Sequence, residues 1–286
     1  MKKSILLFSI ILFMGCLDQG SGILQKEEIL LTFENPISGE ISLDFTTFNG
    51  YIEVYLWDDQ TYKIDVNKWA RASTSREALR RAEALNVDFS ETGGTLAVKV
   101  EQENNTGADI KAYLPKSTFD EIELDTTNGY IQVEDITASS ASLETTNGFI
   151  EASIHAEDIR VETTNGRIGG FYQGNNVKIS TANGRIDVEC GDGGDYTLET
   201  TNGSVEVQLG SQGNFDISTT NGSASVTVKG DFSFDLKTTN GAVTVDADNV
   251  TYTQDDRAHK KGHTLEGAGL TLTVSTTNSN ITVVKQ

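Results

Sequence analysis

Four carboxylates recur at one phase of a repeat and are the side chains best placed to do chemistry. Asp125, Glu144, Glu162 and Glu199 each stand three positions before the Asn of a recurring Thr-Thr-Asn-Gly tetrad or a close variant. Three consecutive carboxylates stacked in one outward column repel one another unless something offsets them. Arg160 and Lys178, five positions before their own Asn, fall on diagonal neighbours and offset part of that repulsion. Calcium bridging is the alternative, because hard cations take carboxylate and carbonyl oxygens. A salt-bridged, solvated face is preferred to it, since exposed ion pairs are common and individually weak. These four acids form the candidate interaction face.

Other constellations point to less. His259 and His263, with Asp255 and Asp256 nearby, would suit a transition metal if they lay on a helix. Lys260 and Lys261 stand between them and no third ligand is fixed by spacing, so an exposed polar loop is the preferred reading. Gly191-Asp192-Gly193-Gly194-Asp195 occurs once and reads as a turn rather than a calcium repeat. No Gly-x-Ser-x-Gly elbow, phosphate loop or dinucleotide fingerprint is present. The outward columns read as holding few of the large aromatics that stack on sugars, and no Arg/Lys cluster stands opposite paired acids. No catalytic residue, cofactor or metal is therefore assigned. A net charge of −20 argues against nucleic acid, whose binders need a basic stripe to displace counterions.

Both cysteines are accounted for by position. Lys2 and Lys3 precede an apolar stretch, Ser4 to Met14, too short to span a bilayer. It ends in Leu12-Phe13-Met14-Gly15-Cys16, similar to a lipobox, which makes Cys16 the expected lipid-attachment residue. Residues 1–16 thus read as a signal peptide, and 17–39 as a tether and lead-in segment. Cys190 is left without an intrachain partner and reads as a small buried side chain, since no His lies near it in sequence.

The element that positions all of this is the repeat itself. Its corners are Asn128-Gly129, Asn147-Gly148, Asn165-Gly166, Asn183-Gly184, Asn202-Gly203, Asn221-Gly222 and Asn240-Gly241, then Asn278-Ser279 after a double-length step. A period near 19 residues signals one supersecondary unit stacked many times. Positions four and six before each Asn are apolar, as are the third and often the fifth after it, which means two half-buried strands per unit. Asn-Gly also favours antiparallel hairpins. A single-stranded parallel β-solenoid is preferred, because identical corners in identical register are what stacked coils require. Gly at each corner is expected to supply positive φ. Eight or nine coils would make a rod about 40 Å long.

Ile41 to Val54, with corner Asn49-Gly50, is an outlying first coil. Within the region 40–115, Thr74-Ser75-Arg76-Glu77 predicts a capped short helix, and the strands around it are expected to cover the N-terminal end of the rod. The array proper is 116–286. Its one long departure, about 246–265, is expected to occupy the missing coil between Asn240 and Asn278.

Gly50-Tyr-Ile-Glu-Val54, the helix near 75–85, Ala112-Tyr-Leu-Pro115 and the Thr-Thr-Asn-Gly-x-Ile units together resemble the β-strand-repeat "putative adhesin" family of unknown function, over roughly 40–286. The resemblance implies an exported β-solenoid, often membrane-tethered, with no established catalytic residues. The expected role is a lipid-anchored adhesion or scaffold module at the cell surface. Its partners would be an envelope polymer, a cell surface or a membrane protein. A sensory module binding a neighbouring membrane protein is the alternative, and a carbohydrate-active enzyme a distant third.

Overall fold

The computed structural model describes residues 24–37 and 39–286. The predicted signal segment and Cys16 lie outside them. The described chain is all-β, with 68% strand and one helix, Ser75–Ala84.

Each coil is a strand, a corner and a second strand, and successive coils pair in parallel. Thr118–Asn128 pairs with the second half of Ile131–Asn147, which pairs with Ile150–Asn165, then Asn176–Thr181, Asp195–Thr200 and Gly213–Thr219. These strands form a first ribbon. The strands after the corners form a second, including Ile168–Gln173, Ile186–Cys190, Val205–Leu209 and Ala224–Val228. The parallel arrangement is therefore the one adopted, and equivalent residues stack: Leu124 on Leu143, Val161 on Ile179, Leu198 on Ile217. Inward positions are almost fully buried along the whole stack.

The corner chemistry explains the tetrad. The first Thr points inward, and the hydroxyls of Thr126, Thr145, Thr163, Thr181, Thr200, Thr219 and Thr276 donate to the corner-glycine carbonyl one rung back at 2.8–3.3 Å. The Asn side chains form an amide ladder, Nδ2 to Oδ1 at 2.8–2.9 Å from rung to rung. Glycine is required here for a reason other than the one expected. None of Gly129, Gly148, Gly166, Gly184, Gly203, Gly222 and Gly241 has positive φ. Instead, a Cβ at Gly148, Gly166, Gly184, Gly203 or Gly222 would sit 1.7–1.8 Å from the carbonyl oxygen of the corner glycine beneath. Thr200→Val keeps the shape and removes the donor to the Gly184 carbonyl, so it should lower stability by about 1–3 kcal/mol in urea titration.

The order of the rungs departs from the order of the chain at both ends. Leu270–Thr276 lies between Gly213–Thr219 and Phe232–Thr238, and Ile281–Lys285 lies between Ala224–Val228 and Val243–Asp246. The C-terminal coil is thus inserted as the last rung but one. The amide ladder follows the same path, Asn221 to Asn278 to Asn240. The segment 246–265 does not fill a missing rung, because the ladder is already continuous without it. It forms an antiparallel hairpin, Thr251–Asp255 with His259–His263, whose second strand pairs with Phe232–Thr238 and covers that end of the first ribbon.

The N-terminal end mirrors this. Ile41–Asn49 lies between Thr95–Val100 and Thr118–Asn128, and Ile52–Trp57 between Thr106–Pro115 and Ile131–Asn147. Residues 95–115 therefore make a coil of their own, outside the first, with Gly107-Ala108 in place of Asn-Gly at the corner. The stack runs through corners 107, 49, 128, 147, 165, 183, 202, 221, 278 and 240, which is ten rungs and about 45 Å. Beyond the outermost rung, Thr61–Ala72 pairs antiparallel with Thr106–Pro115, and Gln25–Pro36 pairs antiparallel with Thr61–Ala72. Val87–Thr92 closes the first ribbon in the same way.

The helix buttresses this end. Thr74 Oγ1 accepts the Glu77 N–H at 3.3 Å, while the Glu77 carboxylate turns to Arg80 and Arg81 rather than back to the cap. Ala82 packs with Ile29 and Ala70. Lys68 is almost fully buried and donates from Nζ to the carbonyls of Glu83, at 3.2 Å, and Leu85, at 3.0 Å. That ammonium satisfies the helix C-terminus, where cations are favoured.

Candidate interaction faces

The four predicted acids all point outward from the first ribbon and stack in one column: Asp125, Glu144, Glu162, Ser180, Glu199, Ser218, Ser275, Lys237. The basic neighbours serve only one of them. Arg160 meets Glu162 at 2.5 Å and Lys178 reaches it at 3.9 Å. Among the described residues, Asp125 and Glu144 make no ion pair within 4.0 Å. Burial raises the Asp125 pKa, and the neighbouring charges of Glu144 and Glu123 raise it further. Since folding raises that pKa, ionisation works against the fold, and stability falls as pH rises through the shifted value. Asp125→Asn should therefore melt higher at neutral pH, by about 0.5 kcal/mol because the site is exposed, with the gain vanishing in acid. A melting series from pH 3 to 8 checks the sign.

Two shallow grooves run along this ribbon. One, of about 430 Å³, is lined by Ser142, Arg160, Lys178, Asp158 and Asn176. The other, of about 460 Å³, lies between the acidic column and the outer Thr of each tetrad, including Thr164 and Thr201.

The remaining sequence candidates disperse. His259 and His263 lie on a strand, not a helix, and His259 Nε2 meets Asp235 Oδ1 at 2.8 Å beside Lys261 at 2.9 Å. Among the described residues no three His, Cys, Asp or Glu side chains converge to hold a metal. Gly193 and Gly194 adopt positive φ in the turn between strands, and Asp192 Oδ1 accepts from Ser211. Cys190 is buried in the core, and burial pushes its thiol pKa up, which keeps it in the unreactive form.

The second ribbon holds what the sequence reading passed over. Its outward column two residues after each corner Asn begins Tyr51, Tyr130, Phe149, Arg167, Arg185. The Tyr51 and Tyr130 rings stack with centroids 4.9 Å apart, and Tyr130 and Phe149 at 4.8 Å. A second aromatic group stands four residues further along the strands, where Tyr113 stacks with Tyr55 at 5.7 Å and with Trp57 at 5.5 Å. Between them runs a polar row in which Glu53 accepts from Lys111 at 3.1 Å and from the Tyr130 hydroxyl at 2.6 Å. Hydrogen bonding from Tyr130 and Lys111 outweighs burial and holds the Glu53 pKa below the usual carboxylate range. Lys111 also lies 4.8 Å over the Tyr55 ring. The reading that the outward columns hold few large aromatics is therefore wrong for this ribbon. The signal was available in the positions that alternate with the apolar residues after the corner.

Stacked parallel coils, an amide ladder at the corner and antiparallel strands beyond the end rungs define a β-solenoid. The chain belongs to the Toastrack DUF4097 family, whose profile matches residues 38–284. No curated protein matches the sequence. Among solved structures, a "putative adhesin" from Bacteroides fragilis NCTC 9343 is 12% identical, covers 89% of this chain and 96% of its own, and superposes with a TM-score of 0.37. A "putative adhesin" from Parabacteroides distasonis ATCC 8503 is 11% identical, with 90% and 97% covered and a TM-score of 0.38. A "putative cell adhesion protein" from Clostridium sporogenes ATCC 15579 is 10% identical, with 92% and 100% covered and a TM-score of 0.21. At such identities and scores, nothing of those proteins' roles transfers to this one.

Proposed function

We propose that this protein is a non-catalytic adhesion or scaffold module held on the outer face of a membrane by a lipid on Cys16. One observation carries the reading: antiparallel strands cover both ribbons at the N-terminal end and the first ribbon at the other, so the long sides are the main surfaces left for partners. Each side presents rows of outward residues in fixed register over many rungs, which suits an extended polymer or another surface better than a small molecule. The basic start and apolar run before Cys16 supply the export signal and the anchor.

Cross-linking on intact native cells, followed by mass spectrometry, tests the role. Capture of envelope polymer or of neighbouring cell surfaces supports it, as does loss of attachment when the chain is deleted. Repeated recovery of one membrane protein, with attachment unchanged, would overturn it in favour of a sensory module. Cys16→Ala tests the anchor separately, since the protein should move from the membrane fraction to the soluble one.

A further inference from the structure

The aromatic side chains break the repeat. Both tryptophans and four of the eight tyrosines lie on the outer face of the second ribbon within the N-terminal rungs and the strand beyond them: Trp57, Trp69, Tyr51, Tyr55, Tyr113 and Tyr130. Further along, the column of Tyr51, Tyr130 and Phe149 continues past its two arginines as Ser204, Ser223, Asn280 and Ala242. Core packing does not demand these rings, because they point away from it. Phe149 is 40% exposed, although polar residues serve at the same place in the rungs of Arg167, Arg185, Ser204, Ser223 and Asn280.

Most charge on this face is paired, in contrast to the chain as a whole. Lys63 pairs with Asp65 at 2.8 Å, Lys111 with Glu53 at 3.1 Å and Arg167 with Glu151 at 2.5 Å. Asp109, whose Oδ1 accepts the Tyr51 N–H at 3.3 Å, makes no ion pair among the described residues, so this strip carries no excess positive charge. Two aromatic ranks flank a row of carboxylate, ammonium and amide groups, Lys111, Glu53, Gln132 and Glu151, that runs along the rod axis. Aromatic rings take up the C–H faces of sugars, and paired polar groups exchange hydrogen bonds with their hydroxyls. The rung spacing is comparable with the length of a pyranose unit, so a linear chain laid along the axis meets equivalent groups at each step. We infer that this face binds a linear, uncharged glycan lying along the rod. The inference deepens the adhesive reading and rests on it for the source of the polymer. The strip's lack of excess positive charge disfavours an anionic polymer or an anionic bilayer, both of which call for it.

Affinity electrophoresis of the intact chain through gels holding soluble neutral polysaccharides (hydroxyethyl cellulose, glycol chitin, galactomannan) tests this. At least one should retard the protein, and the retardation should survive a tenfold rise in salt. Tyr130→Ala with Phe149→Ala should weaken the apparent Kd at least tenfold. Phe149→Tyr should retain binding, and Asp216→Asn, exposed on the other ribbon, should leave it unchanged. Should the double variant melt early, Phe149→Ala alone at its exposed site gives the same test. The proposal is overturned if no neutral polymer retards the chain, if the aromatic variants bind as before, or if only alginate or anionic vesicles bind, and only at low salt. Cells carrying the double variant separate this from the adhesive role. Attachment lost on deletion but kept by the variant overturns the glycan face and leaves adhesion standing. Attachment indifferent to deletion, with the gel shift intact, does the reverse.

Discussion

Gly184→Ala is expected to cost at least about 3 kcal/mol of stability, at the upper end of overpacking substitutions. The added Cβ would lie 1.7 Å from the Gly166 carbonyl oxygen and 2.6 Å from its carbon, so backbone must move against backbone. Neither coil can yield alone, because Thr181 and Thr200 tie the two corners to their neighbours above and below. Gly193 supplies the control. It has φ of +80° and nothing within 4 Å of the place a methyl group would occupy, so Gly193→Ala carries only conformational strain, about 1–2 kcal/mol. Urea midpoints for the two variants check the account. Equal losses would show that corner glycines serve conformation rather than close approach.

Removing residues 270–286 is expected to release more than it deletes. In a simple solenoid the last coil peels away and leaves its neighbour intact. Here the deleted strands are the parallel partners of Phe232–Thr238 and Val243–Asp246, so the end coil loses its attachment to the rod. Lys285 also holds Asp231, at 2.5 Å, where the chain enters that coil. Limited proteolysis should therefore cut the truncated chain throughout residues 230–269, and hydrogen exchange there should reach the rates of unstructured peptide. Protection of 232–246 in the truncated chain would mean that this coil docks directly on 213–228, and the prediction would fail.

The contrast between what was legible and what was not has a physical origin. Parity around each Asn exposed the strands, since a buried position in a two-sided ribbon must be apolar: Leu198 and Ile217 could not be otherwise. Identical corners pointed to parallel stacking, and Thr200 and Asn202 show why, each bonding to its counterpart's coil. Rung order was hidden by the same regularity. Coils at Asn240 and Asn278 both carry the apolar pattern that Asn221's coil can accept, so local sequence cannot say which one docks there. The coil at Gly107-Ala108 escaped notice because its corner lacks the tetrad, although its strands were readable. On the acidic face, spacing placed all four carboxylates in one column but did not show that Arg160 and Lys178 would both favour Glu162. The aromatic strip needed attention to the alternate positions after the corner, where Tyr51, Tyr130 and Phe149 line up.

The inserted C-terminal coil also sets a schedule. Asn278 must reach Asn221 across 57 residues, over a segment that has emerged earlier and has its own place to fill. A rod that grows rung by rung from one end can keep pace with a chain emerging during synthesis. This one cannot finish that way. Until the final residues arrive, Phe232–Thr238 must wait unseated or be lifted to admit them, and the interrupted stack shows a bare parallel edge. Such an edge invites another strand. Arrival of residues 270–285 thus becomes a maturation checkpoint, at which they act as the keystone that seats the end coil on the rod.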